Sequence, residues 1–146
     1  MAKTFDLVFD GRMNGDAVND LPSKKGIYCI RTTIEGTDKR YYPTLQYIGK
    51  ADDLLNRLSS GKDDGLNGAL QIAKKTPGTF VTIAFALFSG TEDDLLRVES
   101  CLIFCTNPPL NDQSTEGFHY EETTVNISGQ YASVFKSKYV AEKTEK

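Results

Sequence analysis

Glu99 stands where a scaffold residue should be apolar. Between Thr91 and Pro108 the spacing of Leu95, Leu96, Val98, Leu102, Ile103 and Cys105 marks the buried arc of a helix, and Glu99 falls near its middle. An ionised carboxylate in that company is costly unless it meets a cation or a metal, or takes up a proton. A structural ion pair at the rim of a sheet would satisfy it as well as a bound ion would. Arg57 lies at the border of a second apolar stripe, made by Ala51, Leu54, Leu55 and Leu58. The net charge is −3, yet Lys24 to Lys75 holds ten Lys or Arg against six Asp or Glu, and the remainder seven against fourteen. A phosphate-facing surface on an otherwise acidic protein produces that asymmetry, and so does scatter over solvated faces. The three cysteines read as reduced core residues. Structural zinc is disfavoured, because Cys101 and Cys105 would have only Cys29 and His119, the sole histidine, to complete four ligands.

Those residues need elements to hold them. Phe5, Leu7 and Phe9 alternate with polar neighbours, which predicts a short strand with one apolar face. Lys25 to Ile34 and Arg40 to Ile48 are rich in β-branched and aromatic residues and are joined by the turn-forming EGTDK, a β-hairpin. Pro43 cannot donate to a ladder, so the second of these strands is expected at an edge or beside a bulge. Helical spacing takes over after Gly49, and a second helix is expected to begin at Asp64 as its N-cap, with Leu66, Ala69, Leu70 and Ala73 inward and Pro77-Gly78 as its stop. Thr79 to Phe88 is apolar on both faces and belongs in the middle of a sheet covered by helices. Thr91 and Asp94 form a capping pattern for the helix that carries Glu99, which should run to about Thr106. Beyond it lie a strand at Thr123 to Ser128 and an amphipathic piece from Gln130 to Val140.

Placed in order, the chain reads Gly26-Ile27-Tyr28, Tyr47-Ile48-Gly49, Lys50, Arg57, Glu99 in ESCLIFCTNPPLN, and Asn111 after Pro108-Pro109. This resembles the GIY-YIG nuclease family over about residues 26–111. The resemblance implies an α/β (α+β) domain with a three-stranded antiparallel sheet flanked by helices, here with an additional C-terminal strand and helix extension. It also implies one divalent cation, Mg²⁺ or Mn²⁺, held by Glu99, and hydrolysis of phosphodiester bonds in nucleic acid, DNA in the first instance. Tyr28, Tyr47, Arg57 and Glu99 would be catalytic, with Tyr47 the general base, and Gly49, Lys50 and Asn111 would serve substrate binding. The chemistry suits these residue types. One hard carboxylate oxygen with waters and phosphate is a normal magnesium shell, and a guanidinium offers a planar fork of donors to the phosphate. A free phenol, with a pKa of about 10, is a poor base at neutral pH, so Tyr47 needs help that Lys50 is placed to give. Asn111 is expected to pin a loop or the substrate rather than react. Two departures stand out: the 18-residue interval between the tripeptides, longer than usual for the pattern, and Ser59-Ser60-Gly61-Lys62 where many members carry a Tyr or His beyond the arginine. The first implies a long hairpin, Arg31 to Tyr42, able to touch substrate.

Length and composition set the outer bounds. With 146 residues, 39% hydrophobic and 25% charged, the chain is expected to be a single domain over 1–146, with a core at about 24–112, an extension at 113–140 and a tail at 141–146 that frays. Its longest apolar stretch, Phe80 to Phe88, is nine residues, short of the roughly 20 that span a bilayer, and Asp6 and Asp10 interrupt what a signal peptide would need. A cytoplasmic protein without a membrane partner is expected. A homodimer would let one site per chain cut two strands, but no residue demonstrates one. The competing reading is a catalytically weak or inactive module that keeps the fold for binding nucleic acid or protein, for which Gly61 and the acidic remainder speak.

Overall fold

The alternating segment at the N-terminus forms β1 (Lys3–Arg12), and the hairpin segments form β2 (Gly26–Glu35) and β3 (Tyr41–Ala51). Two helices follow, α1 (Leu54–Ser59) and α2 (Asp64–Lys75), then β4 (Thr79–Leu87), α3 (Glu92–Thr106), β5 (Thr123–Gly129) and β6 (Lys138–Ala141). A short 3-10 helix, Gly15–Asp20, lies between β1 and β2. The computed structural model describes residues 1–12, 15–112, 116–130 and 134–144, and the backbone alone at 12 and 15–17. Parts of the expected extension and of the Gln130 to Val140 piece, residues 113–115 and 131–133, lie outside the described residues, as do 145 and 146 of the expected tail.

The strands make one mixed sheet in the order β3-β2-β4-β1-β5-β6. Its first three members are antiparallel, which is the expected three-stranded core, and the chain's ends add three more. The strand that is apolar on both faces, β4, sits inside the sheet between β2 and β1. Strand β1 divides its pairing: Lys3 to Phe9 run parallel to β5, and Asp10 to Arg12 run antiparallel to β4.

Each face of the sheet has its own core. On one, α3 lays Leu95, Val98, Cys101, Leu102 and Ile103 against Leu7, Phe9, Ile27, Cys29, Ile48, Ala84 and Ala86. On the other, Leu54 and Leu58 of α1 and Leu66 and Ala69 of α2 cover Tyr28, Ile30, Val81, Ile83 and Phe85. Full burial of one such Leu or Ile contributes roughly 1.5–3 kcal/mol.

Four expectations change. The second helix is capped by Asp63, whose Oδ2 accepts from the Leu66 amide at 2.9 Å, so Asp64 is its first helical residue. Strand β3 runs three residues beyond Ile48, to Ala51. Leu96 is exposed, while Arg97 and Ser100 are buried, because β5 and β6 wrap α3 and rotate its covered arc. The start of the tail is held: Ala141 is buried in β6, and Thr144 exchanges two hydrogen bonds with the Phe118 backbone.

Candidate active site

Strand β3 is the edge, and that decides the geometry. Residues on its two sides look toward different helices, yet without a neighbouring strand those groups meet around its rim. Its free backbone positions at Gln46 and Ile48 are covered. Leu110 N–H donates to Gln46 O at 2.9 Å; the Asn111 carboxamide accepts from Ile48 N–H and donates to Ile48 O, both at 2.9 Å. The next outward amide, that of Lys50, lies on the Glu99 side and acts to lower the Glu99 pKa. A bulge at Gln46, where the pairing shifts between Ile30/Tyr47 and Arg31/Leu45, re-aims the strand just before Tyr47. The expectation for Pro43 holds through the edge position of β3; Pro43 itself pairs in register with Thr33, and the bulge lies three residues on.

On the α1/α2 side the two tyrosines lie together, ring centroids 6.2 Å apart. Tyr28 pairs across the hairpin with Gly49, and its phenol lies over it: a Cβ on Gly49 would sit 2.4 Å from the Tyr28 hydroxyl. That close approach explains a glycine here. The hydroxyl donates to Asp63 Oδ1 at 2.5 Å, and Arg57 Nε–H donates to the same oxygen at 3.1 Å. Tyr28 is fully buried, and burial together with Asp63 pushes its pKa far up, so it is a neutral hydrogen-bond donor. The Arg57 side chain is half-exposed, and the Tyr28 hydroxyl and the Asp63 carboxylate beside it keep it protonated. Tyr47 is half-buried, packed where Gly65 of α2 leaves room for its ring.

On the α3 side stand Glu99 and Lys50. Glu99 is 4% exposed; burial raises its pKa, against the lowering effect of Lys50, Arg57 and the Lys50 amide. The carboxylate is therefore short of positive charge even with two cations near it. Neither of its oxygens is both sealed from solvent and unpartnered among the described residues. Lys50 Nζ meets Glu92 at 3.3 Å, beside an open groove lined by Lys50, Ala51, Asp52, Asp53, Asn56 and Arg57.

A divalent cation fits this donor set in one way. No three His, Cys, Asp or Glu side chains gather to hold an ion among the described residues. The one carboxylate of Glu99 suits a hard ion that keeps its waters and takes further oxygens from a phosphate, as Mg²⁺ and Mn²⁺ do, and does not suit zinc.

No family model matches the chain, and no curated protein does. Solved structures do. The GIY-YIG N-terminal endonuclease domain of UvrC from Thermotoga maritima, bound to its catalytic divalent cation, magnesium, is 22% identical, with 66% of this chain and 92% of that one covered and a TM-score of 0.41. Two tyrosine point mutants of that domain, each bound to the catalytic divalent cation, match at 19% and 20% identity, covering 67% of this chain and 93% of theirs, both with a TM-score of 0.40. The likeness is to the GIY-YIG fold.

Tyr28, Tyr47 and Arg57 come together on one side of β3, and the charge of Glu99, on the other, adds to the burial and the Asp63 charge that raise the Tyr47 pKa. Lys50 does not help Tyr47 as expected. It shares the side of β3 that faces α3, and Tyr47 is pushed up by burial, Asp63 and Glu99, with only Arg57 opposing. Asn111 spends its carboxamide on Ile48, so of the two roles expected for it, the contact made is with the chain itself. His119 is exposed, its ring against Gly117. Asp63 is the site residue that the sequence reading missed. Its signal was two consecutive aspartates ahead of α2, where one cap suffices.

Proposed function

We propose that the chain is a divalent-cation-dependent endonuclease that hydrolyses phosphodiester bonds in DNA. The observation that carries this reading is the meeting, on one side of β3, of a half-exposed guanidinium and two phenols, with the buried carboxylate of Glu99 on the other side of the same strand. Glu99 is the residue that would hold Mg²⁺ or Mn²⁺, and the ion, when bound, would neutralise charge developing on the phosphate. Arg57 spends Nε on Asp63 and keeps other N–H donors for the phosphate, where charge grows in the transition state. Gly49 lets Tyr28 lie flat beneath that site. Tyr47 is the phenol that reaches solvent and is the one to take a proton from water. Lys50 adds positive charge at the groove and shares it with Glu92. DNA as substrate is what the resemblance of the sequence motifs implies.

A general base whose pKa lies above the assay pH gives a rate that climbs with pH, about tenfold per unit for a single proton. With Tyr47 raised, cleavage should increase from pH 7 to pH 9 with a slope near one in logarithmic terms. The decisive assay incubates purified protein with plasmid, single-stranded and branched DNA plus Mg²⁺ or Mn²⁺. Nicks or breaks are expected from the wild type, and their loss from Glu99→Gln and from Arg57→Ala. Intact DNA throughout, with binding retained, would establish the competing reading of a binding module without turnover. That second reading draws support from the same Tyr47, which burial and the nearby carboxylates hold protonated.

A further inference from the structure

Asp63 does more than a helix cap requires. Capping α2 takes one oxygen, and Oδ2 supplies it to the Leu66 amide at 2.9 Å. Oδ1 is then free to take the Tyr28 hydroxyl at 2.5 Å and Arg57 Nε–H at 3.1 Å. Guanidinium and phenol thus meet on a single carboxylate oxygen. The partners differ in exposure: Asp63 is 1% exposed, while the Arg57 side chain is 51% exposed. A sealed carboxylate under an open guanidinium is the arrangement of an anchor, not of a surface ion pair, since a surface pair leaves both groups to water. The backbone is shaped for this return. Gly61 takes φ +76 with nothing near where a Cβ would be, turning the chain between Arg57 and Asp63 so that the carboxylate comes back beneath α1.

We propose that Asp63 is a positioning residue for the phosphodiester reaction: it fixes the guanidinium of Arg57 through Nε, and so aims its terminal nitrogens at the groove, while it anchors the Tyr28 hydroxyl alongside. This rests on the endonuclease reading above. An arginine on a free side chain must lose rotamer freedom to meet a phosphate, and one already held by its Nε has lost it beforehand. A small misplacement of such a group can cost roughly 10²-fold in rate.

The test compares wild type with Asp63→Asn and Asp63→Ser. Both replacements are good N-caps, so α2 should persist in each. The expected result is a fall in kcat of roughly 30- to 100-fold with KM changed less than about threefold. In ¹H–¹⁵N spectra the Arg57 Nε–H signal, slow to exchange in the wild type, should exchange fast in both variants while α2 amides keep their positions. Wild-type kcat in the variants, or an Arg57 Nε–H that stays protected, would overturn the proposal. Should the wild type cut no DNA at all, the endonuclease reading fails by itself. The Nε–H signal then still decides whether Asp63 holds the arginine: loss in the variants upholds the anchoring, and retention ends it.

Discussion

Burial and charge pull Glu99 in opposite directions, and the sign of the result can be worked out. Its pKa is raised in the folded chain, chiefly by desolvation, so the folded state holds this proton more tightly than the unfolded state does. The stability that follows is present below the unfolded value and is lost as pH rises through the folded one. At pH 7 the ionised carboxylate therefore costs stability. Glu99→Gln should raise Tm at pH 7 in the absence of divalent ions by about 2–4 °C, of order 1 kcal/mol, while the difference shrinks toward zero near pH 4. Saturating MgCl₂ should narrow the gap at pH 7 by stabilising the wild type alone; thermal melts at both pH values check each part. Tyr28, Tyr47, Arg57 and Glu99 stand out in the sequence by type and order, and the structure sets the first three beside one another. Lys50 was not legible in the same way. Whether it faces Tyr47 or α3 depends on the period of two along β3, and that period persists through Ala51 only because the strand continues to pair with Gly26.

At the scale of elements, glycines set how closely helix and strand approach the site. A Cβ on Gly65 would lie 2.2 Å from the Tyr47 ring, and one on Gly49 would strike the Tyr28 phenol. Alanine at Gly65 gains up to about 1 kcal/mol of helix propensity, but displacing a packed aromatic costs about 1–3 kcal/mol, so the net change should be destabilising. Gly65→Ala should lower the urea midpoint and reduce cleavage, because Tyr47 is the ring that must move. Gly68→Ala, one turn on, would meet only the flexible end of Leu110 at 3.1 Å and should cost less. A Gly65→Ala protein with unchanged midpoint and rate would contradict this account of the helix. The helices themselves were readable from periodicity and caps, with Thr91 and the span of α3 as expected. The covered arc of α3 was not, because Arg97 and Cys101 are buried by strands that begin more than twenty residues downstream.

The whole molecule is tied together by a cation. Arg97 on α3 is 8% exposed; its Nε donates to Thr123 Oγ1 at 2.7 Å, and its terminal nitrogen reaches the carbonyls of Met1, Glu121 and Glu122. One side chain thus joins the start of β1, the start of β5 and the helix that carries Glu99. Arg97→Met takes a buried donor from the Met1 carbonyl and the Thr123 hydroxyl, leaves the Glu121 and Glu122 carbonyls only the Thr123 hydroxyl and the Lys3 amide, and should destabilise by about 2–4 kcal/mol, measured from urea unfolding. A cost below about 1 kcal/mol would show the clasp to be dispensable. The parallel pairing of β1 with β5 lay beyond sequence reading for a related reason: it joins segments some 120 residues apart, and no local pattern encodes a partner at that distance.

The way β3 is closed has one more effect. Open borders of sheets invite ribbons to grow from one molecule into the next, and proteins guard them with charge, proline or cover. Here the guard is a carboxamide posing as backbone at Ile48, with the Leu110 amide on Gln46 beside it, next to an open groove. This stretch of β3 can thus stay wet and reachable at high concentration without offering neighbours a template for polymerisation.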